Sequence, residues 1–111
     1  VADVSRPIVQ EAVFGPILTL ERFDSEQSAV NLANSTRYGL AASLWTFDLQ
    51  RAMRISRRVR SGTVWLNSHG RLIAEAETGG YGESGLGRLH GIEALNDFLE
   101  TKHIYLEAAA Q

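Results

Sequence analysis

The stretch Gly80-Tyr81-Gly82-Glu83-Ser84-Gly85 has the spacing G-x-G-x-x-G, in which glycines let a backbone approach a pyrophosphate at a helix N-terminus. That chemistry needs the glycines directly after a strand in a compact βαβ unit. Here a polar loop beginning at Asn67 separates them from the strand-like run ending at Leu66. Six of the ten glycines lie from Gly79 to Gly91, so a tight connector that uses positive φ angles is the stronger reading and a free-standing nucleotide-binding domain the weaker. Glu75 and Glu77 in the same loop have acid–base side chains, but exposed loop acids are ordinarily solvated charges. Ser84 sits between Glu83 and Gly85, outside the G-x-S-x-G elbow that presents a serine nucleophile. His69, His90 and His103 are scattered, with no pair at the helical spacing that aims two imidazoles at one metal. Cysteine is absent, which excludes a disulfide scaffold, a thiolate zinc site and a cysteine nucleophile within these residues. No catalytic residue and no metal ligand are assigned.

Arg51, Arg54, Arg57, Arg58 and Arg60 form the remaining cluster. No aromatic platform interleaves them, and 11 Lys+Arg against 13 Asp+Glu leaves a net charge of −2, so a solvated helix face outweighs an anion patch and nucleic acid is not an expected partner. No run approaches the roughly 20 apolar residues of a bilayer span, and Val1-Ala2-Asp3-Val4 lacks the pattern of a signal peptide, so no membrane partner is expected. A cytoplasmic setting agrees with the missing cysteines. The 111 residues, 44% of them hydrophobic, suit one domain. Val at position 1, with the only Met at Met53, reads as a chain processed, trimmed or cut from something longer.

The elements that must position these residues alternate in period. Ile17 to Phe23 alternates after the turn Gly15-Pro16 and predicts a strand. Asp24 with Gln27 resembles a capping box, opening a helix with a buried stripe of Ala29, Val30, Leu32 and Ala33 that closes at Tyr38-Gly39. Leu40 to Thr46 is a near-continuous apolar run, expected as a strand covered on both faces. Asp48 starts a second helix with Leu49, Ala52, Met53, Ser56 and Val59 on one side, and Arg60-Ser61-Gly62 stops it. Thr63 to Leu66 is the third strand, Ile92 to Leu99 a helix, and Lys102 to Leu106 a last strand with edge character. Ala108 to Gln111 is expected to fray. The order β-α-β-α-β-loop-α-β implies an α/β fold with a partial, mainly parallel sheet and flanking helices. Trp45, Trp65 and Phe14, in or beside these strands, are expected in the core.

Glu11-Ala12-Val13-Phe14-Gly15-Pro16, the run from Tyr38 to Thr46, Gly62-Thr63-Val64-Trp65-Leu66-Asn67 and the run from Gly79 to Arg88 together resemble the C-terminal part of the aldehyde dehydrogenase superfamily, with Thr101-Lys102-His103 extending the match. The resemblance implies residues 1–100 as the end of the catalytic domain and 101–111 as an oligomerisation strand and tail. It implies oxidation of an aldehyde to a carboxylic acid with NAD or NADP, by a cysteine thiolate, an oxyanion asparagine and a glutamate that activates water. All three lie upstream of this segment in the family, so the isolated chain is expected to be inactive and to bind no cofactor by itself. Phe14 matches the phenylalanine beside the nicotinamide. Ala12 falls where the family usually has a glutamate that hydrogen-bonds the nicotinamide ribose, which a methyl group cannot do. Ser68 to Thr78 matches the loop that helps wall the aldehyde tunnel, with Leu72 and Thr78 at substrate-side positions that often carry aromatics. Two classes of function follow: an incomplete dehydrogenase completed by a cysteine-bearing chain, or a non-catalytic module that self-assembles or inserts into family members. In either, Lys102 to Leu106 is the expected contact with a second copy or a complementary aldehyde dehydrogenase chain.

Overall fold

A computed structural model describes residues 3–107. In chain order it contains helix α1 (Pro7–Gln10), helix α2 (Glu26–Ala33), strand β1 (Tyr38–Gly39), strand β2 (Ala41–Leu44), helix α3 (Leu49–Ser56), strand β3 (Thr63–Leu66), strand β4 (Tyr81–Gly82) and a 3₁₀ helix (Glu93–Phe98). β2 and β3 pair in parallel with Ala41 opposite Thr63 and Leu44 opposite Leu66, connected by α3. β1 and β4 pair antiparallel with Tyr38 opposite Gly82.

Both long helices begin on side-chain caps. Asp48 Oδ1 accepts from the Arg51 amide at 2.9 Å, as its position before the periodic run requires. For α2 the box lies one residue beyond the expected Asp24/Gln27 pair. Ser25 Oγ accepts from the Ser28 amide and Ser28 Oγ accepts from the Ser25 amide, each at 3.1 Å. Serine on both sides makes the same reciprocal bonds with shorter arms, and Gln27 instead donates to Asn31 at 2.7 Å. Glu26 then joins the two helices: its carboxylate receives Arg51 Nε at 2.8 Å and Arg54 Nη2 at 2.7 Å. At the other end Asn34 donates to the Arg58 carbonyl at 2.9 Å and accepts from the Arg60 amide at 2.7 Å.

Several expected elements do not form as regular structure. Among the described residues, neither Ile17 to Phe23 nor Lys102 to Leu106 has a strand partner. The run Leu40 to Thr46 shortens to β2, which is partly open rather than covered on both faces. The sheet is not a continuous parallel one but two separate two-stranded pairs. The helix over Ile92 to Leu99 is 3₁₀. The expected fraying of Ala108 to Gln111 lies outside the described residues.

Packing gives one reason for these departures. Among the described residues only Val30, Ala52 and Val59 form the buried hydrophobic set, so α2 and α3 bury one side chain each, with Val59 beyond the end of α3. Trp45 is 69% exposed and Phe14 fully exposed, contrary to their expected place in a core. The accessible surface is 9374 Å², against about 6,000 Å² for a compact monomer of this mass. The radius of gyration is 19.7 Å and the long axis 74 Å, where a compact chain of this length has about 13 Å. A strand whose second face and edge lack partners gains little by ordering.

Candidate functional site

Three side-chain ties converge where β2 and β3 end side by side. Asn67, immediately after β3, folds its amide onto the backbone of Thr46: Oδ1 accepts from the Thr46 amide at 2.8 Å and Nδ2 donates to the Thr46 carbonyl at 2.9 Å. The pair imitates one more rung of the parallel ladder. Asn67 has φ +50°, a left-handed conformation that asparagine tolerates better than most residues. One turn further, His69 Nδ1 lies 2.9 Å from Ser43 Oγ, and its ring meets Trp65 edge-on with centroids 5.2 Å apart. Trp65 Nε1 donates to the Arg71 carbonyl at 2.7 Å. The start of the loop from Ser68 to Thr78 is therefore fixed to both strands.

The end of that loop is fixed as well. The Thr78 amide and carbonyl exchange 2.7 Å hydrogen bonds with Leu89, and Thr78 Oγ1 lies 3.1 Å from His90 Nδ1. The Gly91 amide donates to the Ala74 carbonyl at 2.9 Å. Glu77 receives its own amide and those of Glu93 and Ile92, which holds its carboxyl below the ordinary 4.5. Glu77 thus serves the start of the 3₁₀ helix, and a carboxylate kept charged in this way is poorly suited to hold a proton for acid catalysis at neutral pH. Between the two anchored ends, Leu72 and Ile73 are exposed.

The glycine run proves to be a connector. Ser84 Oγ accepts from the Gly39 amide at 2.9 Å and the Glu83 amide donates to the Arg37 carbonyl at 3.1 Å, so the turn folds back on β1. Gly82 has φ +56°, and a methyl there would meet the Arg37 carbonyl. A methyl on Gly62 would meet the Gly79 carbonyl, so the chain approaches as closely as glycine allows. Arg37 spans the junction, with Nη2 2.6 Å from Glu11 Oε2 and Nε 2.6 Å from Glu83 Oε2. The spacing G-x-G-x-x-G is spent on this packing, and the short strand β4 lies within it.

Of the sequence-derived site residues, Leu72 and Thr78 share the anchored loop, and Thr78 also lines a cleft of about 220 Å³ with Gly80, Ser84 and Asp97. Phe14 stands apart on the segment after α1, at the centre of a tight turn in which the Gly15 amide donates to the Val13 carbonyl at 3.1 Å, fully exposed and lining neither this cleft nor the larger one. The larger cleft, about 620 Å³, opens between α2, α3 and the end of β2 and is lined by Phe23, Ser43, Trp45, Thr46 and Ile55 among others. No group of three or more His, Cys, Asp or Glu among the described residues has the geometry of a metal site. Asn67, Ser43 and Arg37 were not singled out by sequence reading. An asparagine directly after a strand, where a left-handed turn is needed, is the one signal that points to Asn67.

Residues 1–104 match the family model described as the aldehyde dehydrogenase family. The chain belongs to that family. It is 48% identical over 98 residues to the betaine aldehyde dehydrogenase of Bacillus subtilis, covering 88% of this chain and 20% of that protein. It is 42% identical to the NADP/NAD-dependent aldehyde dehydrogenase PuuC of Escherichia coli, covering 97% and 22%. Among solved structures, a point mutant of the betaine aldehyde dehydrogenase of Staphylococcus aureus in complex with NAD+ superposes with a TM-score of 0.90 at 44% identity, covering 99% of this chain and 22% of that one. The indole-3-acetaldehyde dehydrogenase AldA of P. syringae, a mutant in complex with NAD+ and IAA, gives 0.86 at 38% identity, covering 91% and 20%. The chain spans about a fifth of the length of these aldehyde dehydrogenases.

Proposed function

We propose that this chain is the C-terminal portion of an NAD(P)-dependent aldehyde dehydrogenase that oxidises an aldehyde to a carboxylic acid, and that it supplies walls of the reaction chamber rather than the nucleophile. The carrying observation is a mismatch of chemistry within a close match of fold. The Staphylococcus structures record a cysteine both free and modified by β-mercaptoethanol, while these 111 residues contain none. Covalent catalysis on an aldehyde needs a nucleophile and oxyanion donors around one carbonyl. The described residues bring together no such set.

The cofactor, when bound, accepts the hydride. Of this chain's residues, Phe14 fits the nicotinamide end: its ring is fully exposed on a tight turn, free to pack against a flat heterocycle. Ala12 offers no hydrogen-bond acceptor to a ribose, and the glycine run, already packed on β1, offers no cradle to a pyrophosphate. The chain alone is therefore expected to bind neither NAD nor NADP, and its complement to bring the affinity. The loop Ser68 to Thr78, held at both ends, walls the aldehyde path with Leu72 and Thr78 towards substrate. Lys102 to Leu106, without a strand partner among the described residues, is the segment through which the chain joins a second copy or the complementary chain. A reducing, cytoplasmic setting suits the thiolate chemistry. The alternative of a purely non-catalytic assembly module has less support, because the relatives and solved structures that the chain resembles are aldehyde dehydrogenases.

Calorimetric titration with NAD+ and NADP+ tests this reading. The chain alone should give no binding heat, and a complex with a cysteine-bearing N-terminal portion should bind, with weaker affinity for Phe14→Ala. Tight binding by the chain alone would contradict the proposal.

A further inference from the structure

Within this chain the long-range ties nearest to Phe14 are made by Gln10 and Glu11, at the end of α1. Gln10 Nε2 donates to the Val4 carbonyl at 2.7 Å and to the Ser35 carbonyl at 3.2 Å. The Glu11 carboxylate accepts from Arg37 Nη2 at 2.6 Å. Just beyond, the turn closed by the Gly15 amide on the Val13 carbonyl presents Phe14. We infer that Arg37 is a positioning residue for the nicotinamide end of the cofactor: by gripping Glu11 and Glu83 together it sets where the Phe14 turn stands relative to the glycine run. The inference rests on the proposed place of Phe14 beside the nicotinamide, and Arg37 acts through that ring rather than by touching the cofactor.

The guanidinium is oriented by more than the two acids. Its Cζ lies 5.0 Å from the centroid of the Tyr38 ring, and Nη2 also donates to the Tyr38 hydroxyl at 3.0 Å. Tyr38 belongs to β1 and pairs with Gly82 of β4, so this platform is part of the antiparallel pair. Nε reaches Glu83 Oε2 at 2.6 Å, and the Arg37 carbonyl accepts from the Glu83 amide at 3.1 Å. A methyl on Gly82 would meet that same carbonyl, so main chain and side chain of Arg37 both seat on the glycine run. A planar guanidinium presents its N–H donors in a fixed fork, and here one fork joins the end of α1, β1 and the glycine run. A lysine ammonium, a point charge on a flexible stem, holds two carboxylates less rigidly. The Arg37 side chain is 43% exposed, so each pair alone adds little to stability and is screened by salt. Its effect therefore lies in the placement of the Phe14 turn more than in the stability of the fold.

The test is a complete enzyme in which residues 1–104 replace the matching portion of the Bacillus subtilis betaine aldehyde dehydrogenase, titrated calorimetrically with NAD+ and with ADP-ribose, which lacks the nicotinamide. Arg37→Gln should weaken NAD+ binding about threefold to tenfold and leave ADP-ribose unchanged, a selectivity that general damage to the fold does not produce. Arg37→Lys should recover part of the loss. Adding Glu11→Gln to Arg37→Gln should cost little more, because both break the same contact, and high salt should narrow the gap between parent and variant. Phe14→Ala is the control for the reading beneath: it should show the same selective loss. If Phe14→Ala weakens NAD+ selectively and Arg37→Gln does not, the inference is overturned and the place of Phe14 stands. If Phe14→Ala has no selective effect, the place of Phe14 beside the nicotinamide falls, and the inference with it. Should Arg37→Gln not fold, Glu11→Gln alone, which leaves Arg37 paired with Glu83, should give the selective loss, and its absence would overturn the inference. Should the chimera itself not fold, the complex of this chain with a cysteine-bearing N-terminal portion gives the same comparison.

Discussion

Asn67 concentrates several demands in one side chain. It accepts a left-handed backbone, ends β3 and closes the gap to Thr46 with two hydrogen bonds. Replacing it with alanine removes both bonds and strains the turn, and about 1–2 kcal/mol of stability should be lost. Asn67→Gly relieves the backbone strain but not the lost bonds, so it should recover only part of the difference. Urea midpoints of the two variants against the parent measure the split, and equal midpoints for alanine and parent would remove Asn67 from the account. Residues of this kind were poorly legible in the sequence, because nothing in the letters Leu66-Asn67-Ser68 says which backbone the amide will meet. Phe14, Leu72 and Thr78 could be named only through resemblance to a family, since an exposed phenylalanine or leucine has no local pattern that separates a binding wall from a buried core.

Pairs of elements are where electrostatics enters. Glu26 at the start of α2 grips Arg51 and Arg54 of α3, and the hydrogen bond from Arg54, the largest cause, holds its carboxyl below the ordinary 4.5. Because the folded value is depressed, the stabilisation is present above the unfolded value and is lost as pH falls through the folded one. Acidification below the ordinary 4.5 should therefore loosen α2 from α3. Glu77 at the 3₁₀ helix moves in the same direction, so Glu26→Gln should flatten only part of the acid limb, as read by helical circular dichroism along a pH series. An acid limb identical to the parent's would show that the carboxylate contributes nothing to the pairing. Elements with local determinants were legible: α3 has its Asp48 cap, although it ends at Ser56, ahead of the expected stop at Arg60-Ser61-Gly62, and β2 and β3 have their apolar runs. The α2 cap slipped by one residue because Ser25 and Ser28 satisfy the same amides that Asp24 and Gln27 were expected to satisfy. Ile17 to Phe23 and Lys102 to Leu106 have strand periodicity without a strand, because alternation encodes a face to be covered and an edge to be paired, and neither partner lies within these residues.

At the scale of the whole molecule, surface dominates. Large apolar side chains from Phe14 to Leu106 remain exposed on a chain 74 Å long, far more than a stable monomer leaves open. The isolated chain should associate, giving a light-scattering mass above 12.2 kDa. Ile104→Pro, which removes a backbone donor from the last segment, should lower that mass. An unchanged mass would place the contact elsewhere.

The most direct test of the central claim is complementation. The chain is mixed with the cysteine-containing N-terminal four-fifths of a family member, and NADH formation is followed with an aldehyde. The account predicts no reduction by either part alone and reduction by the pair, abolished when the complement's nucleophilic cysteine is replaced by alanine. Aldehyde-dependent NAD+ reduction by the chain alone, or none from a folded stoichiometric complex, would contradict it.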